Sequence, residues 1–151
     1  MQVRDLEQEL DVLILNDLND VSSVISRFGH GDCHDLSWAL LERGGFGSVM
    51  LLRGEETGVI VHSCVLLDEN TTLDAYGINT AGVTIKRYGD LASYSIDERV
   101  VGEVVGKEWF VENGMADFDG SEDVLAEFEV VLHYMGVELD NQGGLIFKQA
   151  A

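Results

Sequence analysis

The sequence predicts an α+β fold, with helices first, then an antiparallel sheet, then a C-terminal helix. Apolar residues recur at helical spacing over residues 3–28 and 121–136, whereas residues 48–77 hold short apolar runs separated by turns. The chain has 151 residues, of which 46% are hydrophobic. We therefore expect one domain over 1–151 with a buried core.

The N-terminal part of the chain is predicted to be helical. The apolar residues at helical spacing are Val3, Leu6, Leu10, Leu13, Ile14, Val21, Val24, Ile25 and Phe28. "NDLND" divides this stretch into two helices, with Asn19 or Asp20 as an N-cap. "GHGD" at 29–32 predicts a loop. The next helix begins at Cys33, and the glycine pair 44–45 ends it.

Residues 48–77 predict three antiparallel strands in a meander. The segments 48–54 and 58–68 are strands joined by the turn "EETG", and a short third strand covers 72–77. Residues 83–91 are ambiguous, with a short helix as one interpretation. Apolar and polar residues alternate over 97–105, which predicts a strand. The last helix is expected over 121–136, with Ser121 as its cap and Gly136 at its end. The tail "GGLIFKQAA" predicts an added edge strand.

The net charge of −19 is the most extreme global property, with 9 Lys and Arg against 28 Asp and Glu. Such a surface repels phosphates, which argues against direct nucleic-acid binding. It favours solubility and positively charged partners, and it also suits a protein that mimics DNA. No run of eighteen apolar residues predicts a membrane span, and the charged N-terminus lacks a signal segment. We expect a cytoplasmic protein with two reduced cysteines, Cys33 and Cys64.

Three residues form a set that suits nucleophilic catalysis: Cys33 at a helix start, His62 within a strand, and Asp74 in the next strand. A helix N-terminus stabilises a thiolate, and a histidine within reach can take the thiol proton. A carboxylate on the other ring nitrogen fixes the tautomer of the imidazole. Two neighbouring antiparallel strands can bring His62 and Asp74 side by side. Asp32 and Asp35 flank Cys33, and their charges oppose thiolate formation.

The runs "GDCHDLSWALLERGG" and "VHSCVLLDENTTLDAYG" resemble the core of papain-like and transglutaminase-like cysteine hydrolases. The resemblance covers about residues 29–77. In that fold the cysteine begins the central helix, the histidine follows on a strand, and Asp or Asn lies on the following strand. Bacterial and phage members of the superfamily often carry such a run.

This resemblance implies thiol-dependent acyl transfer on an amide, thioester or isopeptide, without a cofactor. Cys33 would be the nucleophile, His62 the general base and Asp74 the residue that orients His62. The backbone N–H of Cys33 would supply one oxyanion donor. The papain branch has a Gln upstream of the cysteine as the second donor. The loop "RFGHGD" has no Gln, and His30 is its nearest polar side chain. The substrate would be a protein or peptide, and the charge favours a basic one.

Two other interpretations stay open. The first is an acidic binding or inhibitor protein on the same fold without catalysis, phage-encoded and similar to a DNA mimic. The second is a small zinc-binding domain that uses Cys33, His34, His62 and Cys64 as ligands. Residues 62 and 64 of a strand point to the same face, so Cys64 is expected near the site or packed beneath it. We expect His34 to point to solvent or toward Asp32, and Trp38 to lie in the core or in a groove wall.

Overall fold

The computed structural model of the chain describes residues 4–5, 24–25, 27–29, 32–92, 98–116, 118–140 and 144–147. Residues 24–25 and 27–29 are helical, as the spacing of apolar residues predicts. The proposed N-caps Asn19 and Asp20 lie outside the described residues. The helical prediction is wrong at Arg4–Asp5, which forms a strand paired with Gly77 and Ile78. Pairing with the sheet overrides local helical preference there.

The described residues alternate between helices and strands in the order expected of an α+β protein. The helices are α1 (Cys33–Gly44), α2 (Ala81–Ala92), α3 (Lys107–Asn113) and α4 (Ser121–Tyr134). The strands are β1 (Arg4–Asp5), β2 (Val49–Gly54), β3 (Ile60–Asp68), β4 (Thr71–Asp74), β5 (Gly77–Thr80), β6 (Val100–Val105), β7 (Val137–Leu139) and β8 (Leu145–Phe147).

Among the described residues, six strands form one antiparallel sheet in the order β1-β5-β4-β3-β2-β6. The predicted meander is confirmed, because β2, β3, β4 and β5 pair in sequence. The third predicted strand, 72–77, is instead two strands, β4 and β5. Gly77 has φ 114°, which glycine adopts without strain, and it begins β5 directly after the turn at residues 75–76.

Helix α1 has the predicted limits. It begins at Cys33 and ends at Gly44, and Gly45 after it adopts the left-handed conformation with φ 73°. It packs against β3 and α4. Leu36, Ala39, Leu40 and Trp38 are buried in the core, so the expectation for Trp38 is confirmed. This packing holds the N-terminus of α1 at a fixed place beside the sheet.

The C-terminal elements differ from the predictions in detail. Helix α4 is present, and Gly136 follows its end with φ 79° as expected. Ser121 is not its cap: Gly120 takes the N-cap position, and the buried Ser121 hydroxyl has no hydrogen-bond partner among the described residues. The tail does form a strand, β8, but it pairs with β7 in a separate two-stranded sheet rather than extending the main sheet.

Candidate active site

Three elements bring the predicted site residues together. Cys33 is the first residue of α1, His62 lies near the start of β3, and Asp74 is the last residue of β4. Strands β3 and β4 are antiparallel with Val65 opposite Leu73, so continuing that register sets Cys64 opposite Asp74. Side chains two residues apart on a strand share a face. His62, Cys64 and Asp74 therefore lie on the same face of the sheet.

His62 and Asp74 form a buried hydrogen-bonded pair. Nε2 of His62 lies 2.9 Å from Oδ2 of Asp74, and the two side chains are 0% and 2% exposed. Oδ1 of Asp74 accepts a second hydrogen bond, 2.9 Å long, from the backbone N–H of Tyr76. Burial alone would lower the pKa of His62, but the bond to Asp74 and the interaction with Cys33 raise it above its ordinary value. The carboxylate is thus oriented to stabilise an imidazolium.

An aromatic ring from α2 covers the imidazole of His62. The rings of Tyr88 and His62 stack with centroids 3.6 Å apart and an interplanar angle of 10°. The hydroxyl of Tyr88 donates a 2.8 Å hydrogen bond to the backbone carbonyl of Gly29, and its ring meets Tyr76 edge-on. Burial raises the pKa of Tyr88, so this hydroxyl stays protonated. Tyr88 holds His62 in one orientation and excludes water from one side of it.

The surroundings of Cys33 lower the pKa of its thiol. Its side chain is buried, which by itself raises a thiol pKa. The neighbouring imidazoles of His34 and then of His62 outweigh burial and lower the pKa of Cys33 to about 5. Nδ1 of His62, the ring nitrogen not used by Asp74, has no hydrogen-bond partner among the described residues. A hydrogen bond between His62 and Cys33 is thus not formed in this structure, and catalytic hydrogen bonds often form fully only in the substrate complex.

Asp32, one of the two aspartates beside Cys33, is paired with a cation that offsets its charge. Oδ2 of Asp32 accepts a 2.6 Å hydrogen bond from Nε of Arg27. The guanidinium of Arg27 also bonds Glu127 of α4. Because the Asp32 side chain bonds Arg27, it does not cap α1. The positive N-terminal end of α1, where Cys33 lies, is thus not neutralised by a side-chain cap from Asp32.

His34 does not take the predicted position. It points neither to solvent nor to Asp32, because Nδ1 of His34 lies 2.7 Å from Oγ of Ser63 on β3. The same nitrogen is 3.9 Å from Sγ of Cys33. Ser63 also contacts Oγ of Ser37 at 2.9 Å, and both serines are buried. A buried partner on the sheet attracts the imidazole more strongly than an aspartate that is already paired with Arg27.

Cys64 lies beneath the site, as its position two residues after His62 predicts. It is fully buried and not in a disulfide, and burial raises its pKa well above the ordinary value. Potential ligand atoms of His62, Cys64 and Asp74 lie within 4.8 Å of one another, which makes them the described residues best placed to hold a metal. In that group Nε2 of His62 is already bonded to Asp74. The four-ligand set expected for zinc does not form, since His34 is turned to Ser63.

Sequence reasoning missed Tyr88, Ser37 and Ser63 as parts of the site. Ser37 follows Cys33 by four residues and therefore lies on the same face of α1. A polar residue at that position could have indicated that Ser37 belongs to the site. Nothing local distinguishes Ser63 or Tyr88, because their partners come from other elements. His30, the side chain considered for the second oxyanion donor, lies outside the described residues.

No family model, curated protein or solved structure matches the chain. Among the described residues, no helix is both long enough and apolar enough to span a bilayer.

Proposed function

We propose that the protein is a thiol-dependent hydrolase with a papain-like core, in which Cys33, His62 and Asp74 act as a catalytic triad. The observation that carries this proposal is the placement of His62. One ring nitrogen is bonded to a buried carboxylate at 2.9 Å, and the same imidazole lowers the pKa of a thiol at a helix N-terminus. A nucleophile, a base and a residue that orients the base are the parts that acyl transfer by a thiol requires.

The chemistry follows from the protonation of these groups. The Cys33 thiolate attacks the carbonyl carbon of an amide, and the C–O π electrons move to oxygen. When the tetrahedral intermediate collapses, the C–N bond breaks and the imidazolium of His62 gives its proton to the leaving amine. Neutral His62 then takes a proton from water, whose oxygen attacks the acyl carbon and releases the Cys33 thiolate. Asp74 stabilises the positive charge on His62 before the amine leaves.

The first oxyanion donor in this proposal is the backbone N–H of Cys33. It lies in the first turn of α1, where amides have no partner within the helix. An amide aimed at the developing oxyanion stabilises the intermediate more than the bound substrate. The net charge of −19 favours a positively charged protein or peptide as the substrate, cleaved at an amide or isopeptide bond.

Two other functions make different predictions from the same structure. A non-catalytic acidic binding protein, which blocks a basic partner or mimics DNA, is supported by the charge alone and gives Cys33 no covalent role. A zinc-binding domain is supported by the proximity of His62, Cys64 and Asp74. In a structural zinc domain the metal co-purifies in stoichiometric amount and its chelation unfolds the chain.

Acyl transfer from p-nitrophenyl acetate tests the proposal without knowledge of the natural substrate. Cys33 should attack the ester, release p-nitrophenolate in a burst and retain the acetyl group. Mass spectrometry of peptides from the quenched protein identifies the acetylated residue. Cys33→Ser should abolish the burst.

Cys64→Ser is the matched control, because Cys64 is the other cysteine of the chain and is fully buried. This variant should retain the burst and the acetyl group on Cys33. A wild-type protein with neither a burst nor an acetylated Cys33 would overturn the hydrolase proposal. Stoichiometric zinc in the purified protein would favour the metal-binding alternative.

A further inference from the structure

A second imidazole lies beside the sulfur of Cys33, and the triad does not use it. Nδ1 of His34 is 3.9 Å from Sγ of Cys33 and 2.7 Å from Oγ of Ser63. His34 follows Cys33 directly in α1, whereas Ser63 comes from β3. The imidazole therefore reaches from the start of the helix to the sheet, past the thiol. Its position is determined by a tertiary contact rather than by the helix alone.

The hydrogen-bond network around Ser63 determines which atom of His34 carries the proton. Oγ of Ser63 has three neighbours: Nδ1 of His34 at 2.7 Å, Oγ of Ser37 at 2.9 Å, and the backbone carbonyl of Cys33 at 3.4 Å. A carbonyl only accepts, so the proton of Ser63 goes to Cys33. The two lone pairs of Ser63 Oγ then accept from Ser37 and from His34. This arrangement satisfies every contact and places an N–H on Nδ1 of His34.

We propose that His34 is a further catalytic residue, whose Nδ1–H stabilises the anionic charge on the Cys33 sulfur and is held in place by Ser63 and Ser37. This inference rests on the proposed thiol hydrolase function and adds a donor to it. Nδ1 is the nitrogen nearest the sulfur, and the network gives it the proton. The buried Ser63–Ser37 pair keeps the ring from rotating away.

A second donor changes what His62 has to do. In a simple cysteine–histidine pair, the thiolate depends on an imidazolium at its side. With the positive end of the His34 N–H dipole close to the sulfur, the anion has support that does not depend on the protonation of His62. His34 then supports the Cys33 thiolate both before it attacks the amide and when water releases it from the acyl group. The acidic residues on either side of Cys33 make such support useful.

Several other titratable groups lie on the elements around Cys33. They are Asp32 before α1, Asp35 on α1, His62 and Cys64 on β3, Asp74 on β4, and Tyr88 on α2. The test must therefore change His34 alone and leave these groups in place. His34→Phe retains a planar ring, which can keep the edge-on contact with Phe110, and removes both ring nitrogens.

The measurement is the rate of Cys33 alkylation by iodoacetamide as a function of pH, with the modified cysteine identified by mass spectrometry. In the wild type the midpoint should lie near pH 5. In His34→Phe it should rise by at least about one pH unit, which reduces the thiolate fraction near the original midpoint several-fold. His133→Phe is the matched control, because His133 is exposed on α4, and it should leave the midpoint unchanged.

Two outcomes separate this inference from the proposed function. A wild-type midpoint at the ordinary thiol value would overturn both. A low wild-type midpoint that His34→Phe does not move would overturn the role of His34 alone and leave the triad intact. Proton–nitrogen NMR of the wild type gives a second measurement that needs no variant to fold. A proton on Nδ1 of His34 is expected, and an unprotonated Nδ1 would contradict the inference.

Discussion

Asp74 connects the fold to the chemistry of the candidate site through its two oxygens. Oδ1 accepts from the N–H of Tyr76 and Oδ2 contacts Nε2 of His62, so the carboxylate cannot rotate without losing one bond. A fixed carboxylate requires Nε2 to carry a proton and leaves Nδ1 as the unprotonated nitrogen, which has no hydrogen-bond partner among the described residues. The tautomer that can act as a base toward the thiol is thus determined by a backbone amide in the turn after β4.

Asp74→Asn should change the ionisation of Cys33 while preserving the shape of the site. The amide oxygen can still accept from Tyr76, so the NH₂ group would face Nε2 of His62 and move the imidazole proton to Nδ1. The pKa of His62 should fall, and the pKa of Cys33 should rise by at least about one unit as it loses the imidazolium. The alkylation midpoint of Cys33 measures this shift, and the p-nitrophenyl acetate burst should slow sharply.

Asp68→Asn is the matched control for this substitution. Oδ1 of Asp68 accepts from the N–H of Asn70, which is the same local bond that Asp74 makes to Tyr76, but Asp68 is exposed and far along β3 from His62. Asp68→Asn should leave the pH midpoint of Cys33 alkylation unchanged. Equal shifts in the two variants would show that the loss of one negative charge, rather than the His62 contact, determines the ionisation of Cys33.

The proximity of His62 and Asp74 could be predicted from sequence because it depends on short-range rules. Apolar alternation places both residues on strands, and the turn "DENT" joins those strands directly. The position of His34 could not be predicted in this way. Its partner Ser63 is 29 residues away, and their contact depends on how α1 packs against β3. Tyr88 is similar, since no local pattern brings α2 over His62.

Cys33 is the first residue of helix α1. One glycine, Gly45, allows the backbone conformation that ends this helix. Gly45 has φ 73°, and a Cβ placed on it would meet no atom within 4 Å. Gly45→Ala should therefore destabilise the fold through backbone strain alone, by roughly 1–2 kcal/mol. Chemical denaturation measures the free energy of unfolding of this variant.

Gly47→Ala serves as the control for Gly45→Ala. A Cβ at Gly47 also meets no atom within 4 Å, and its φ lies outside the left-handed region. This change should be neutral or stabilise the protein by up to about 1 kcal/mol, because it restricts the unfolded chain. If both alanine variants lose the same stability, the left-handed conformation of Gly45 is not the cause.

Elements with strong local signals were predicted, and elements defined by partners were not. Helices α1 and α4 have apolar faces, glycine ends and lengths of 12 and 14 residues. In contrast, α3 has 7 residues and β7 has 3, which is too short for a periodic pattern to appear. Strand β1 exists only through its pairing with β5. Ser121 resembled a cap by residue type, but the helix begins one position earlier.

The charge of the whole chain opposes its own folding. A net charge of −19 on 151 residues makes the folded state repel itself more than the extended chain does. The melting temperature should therefore rise as NaCl increases from about 0.01 M to about 0.5 M, because the Debye length falls from roughly 30 Å to a few Å. Differential scanning calorimetry measures this change. KCl should act equally, and a melting temperature that stays constant or falls would contradict the charge argument.

The same charge defines how the proposed enzyme would meet its substrate. A strongly acidic surface increases the association rate of basic proteins. This rate enhancement falls as salt is added. In the proposed enzyme, the buried triad would supply the reaction and the acidic surface would favour the partner. These two properties come from different residues, since the exposed acidic side chains are not those that hold Cys33, His62 and Asp74.

The acetylation of Cys33 by p-nitrophenyl acetate tests the central claim most directly, because it requires the nucleophile to act as one. The experiment is best performed near pH 6, where an ordinary thiol is almost entirely protonated and Cys33 should already be a thiolate. We expect a burst of p-nitrophenolate with the acetyl group on Cys33 and none on Cys64. A protein that shows no burst at this pH, or that is labelled equally at both cysteines, would contradict the account.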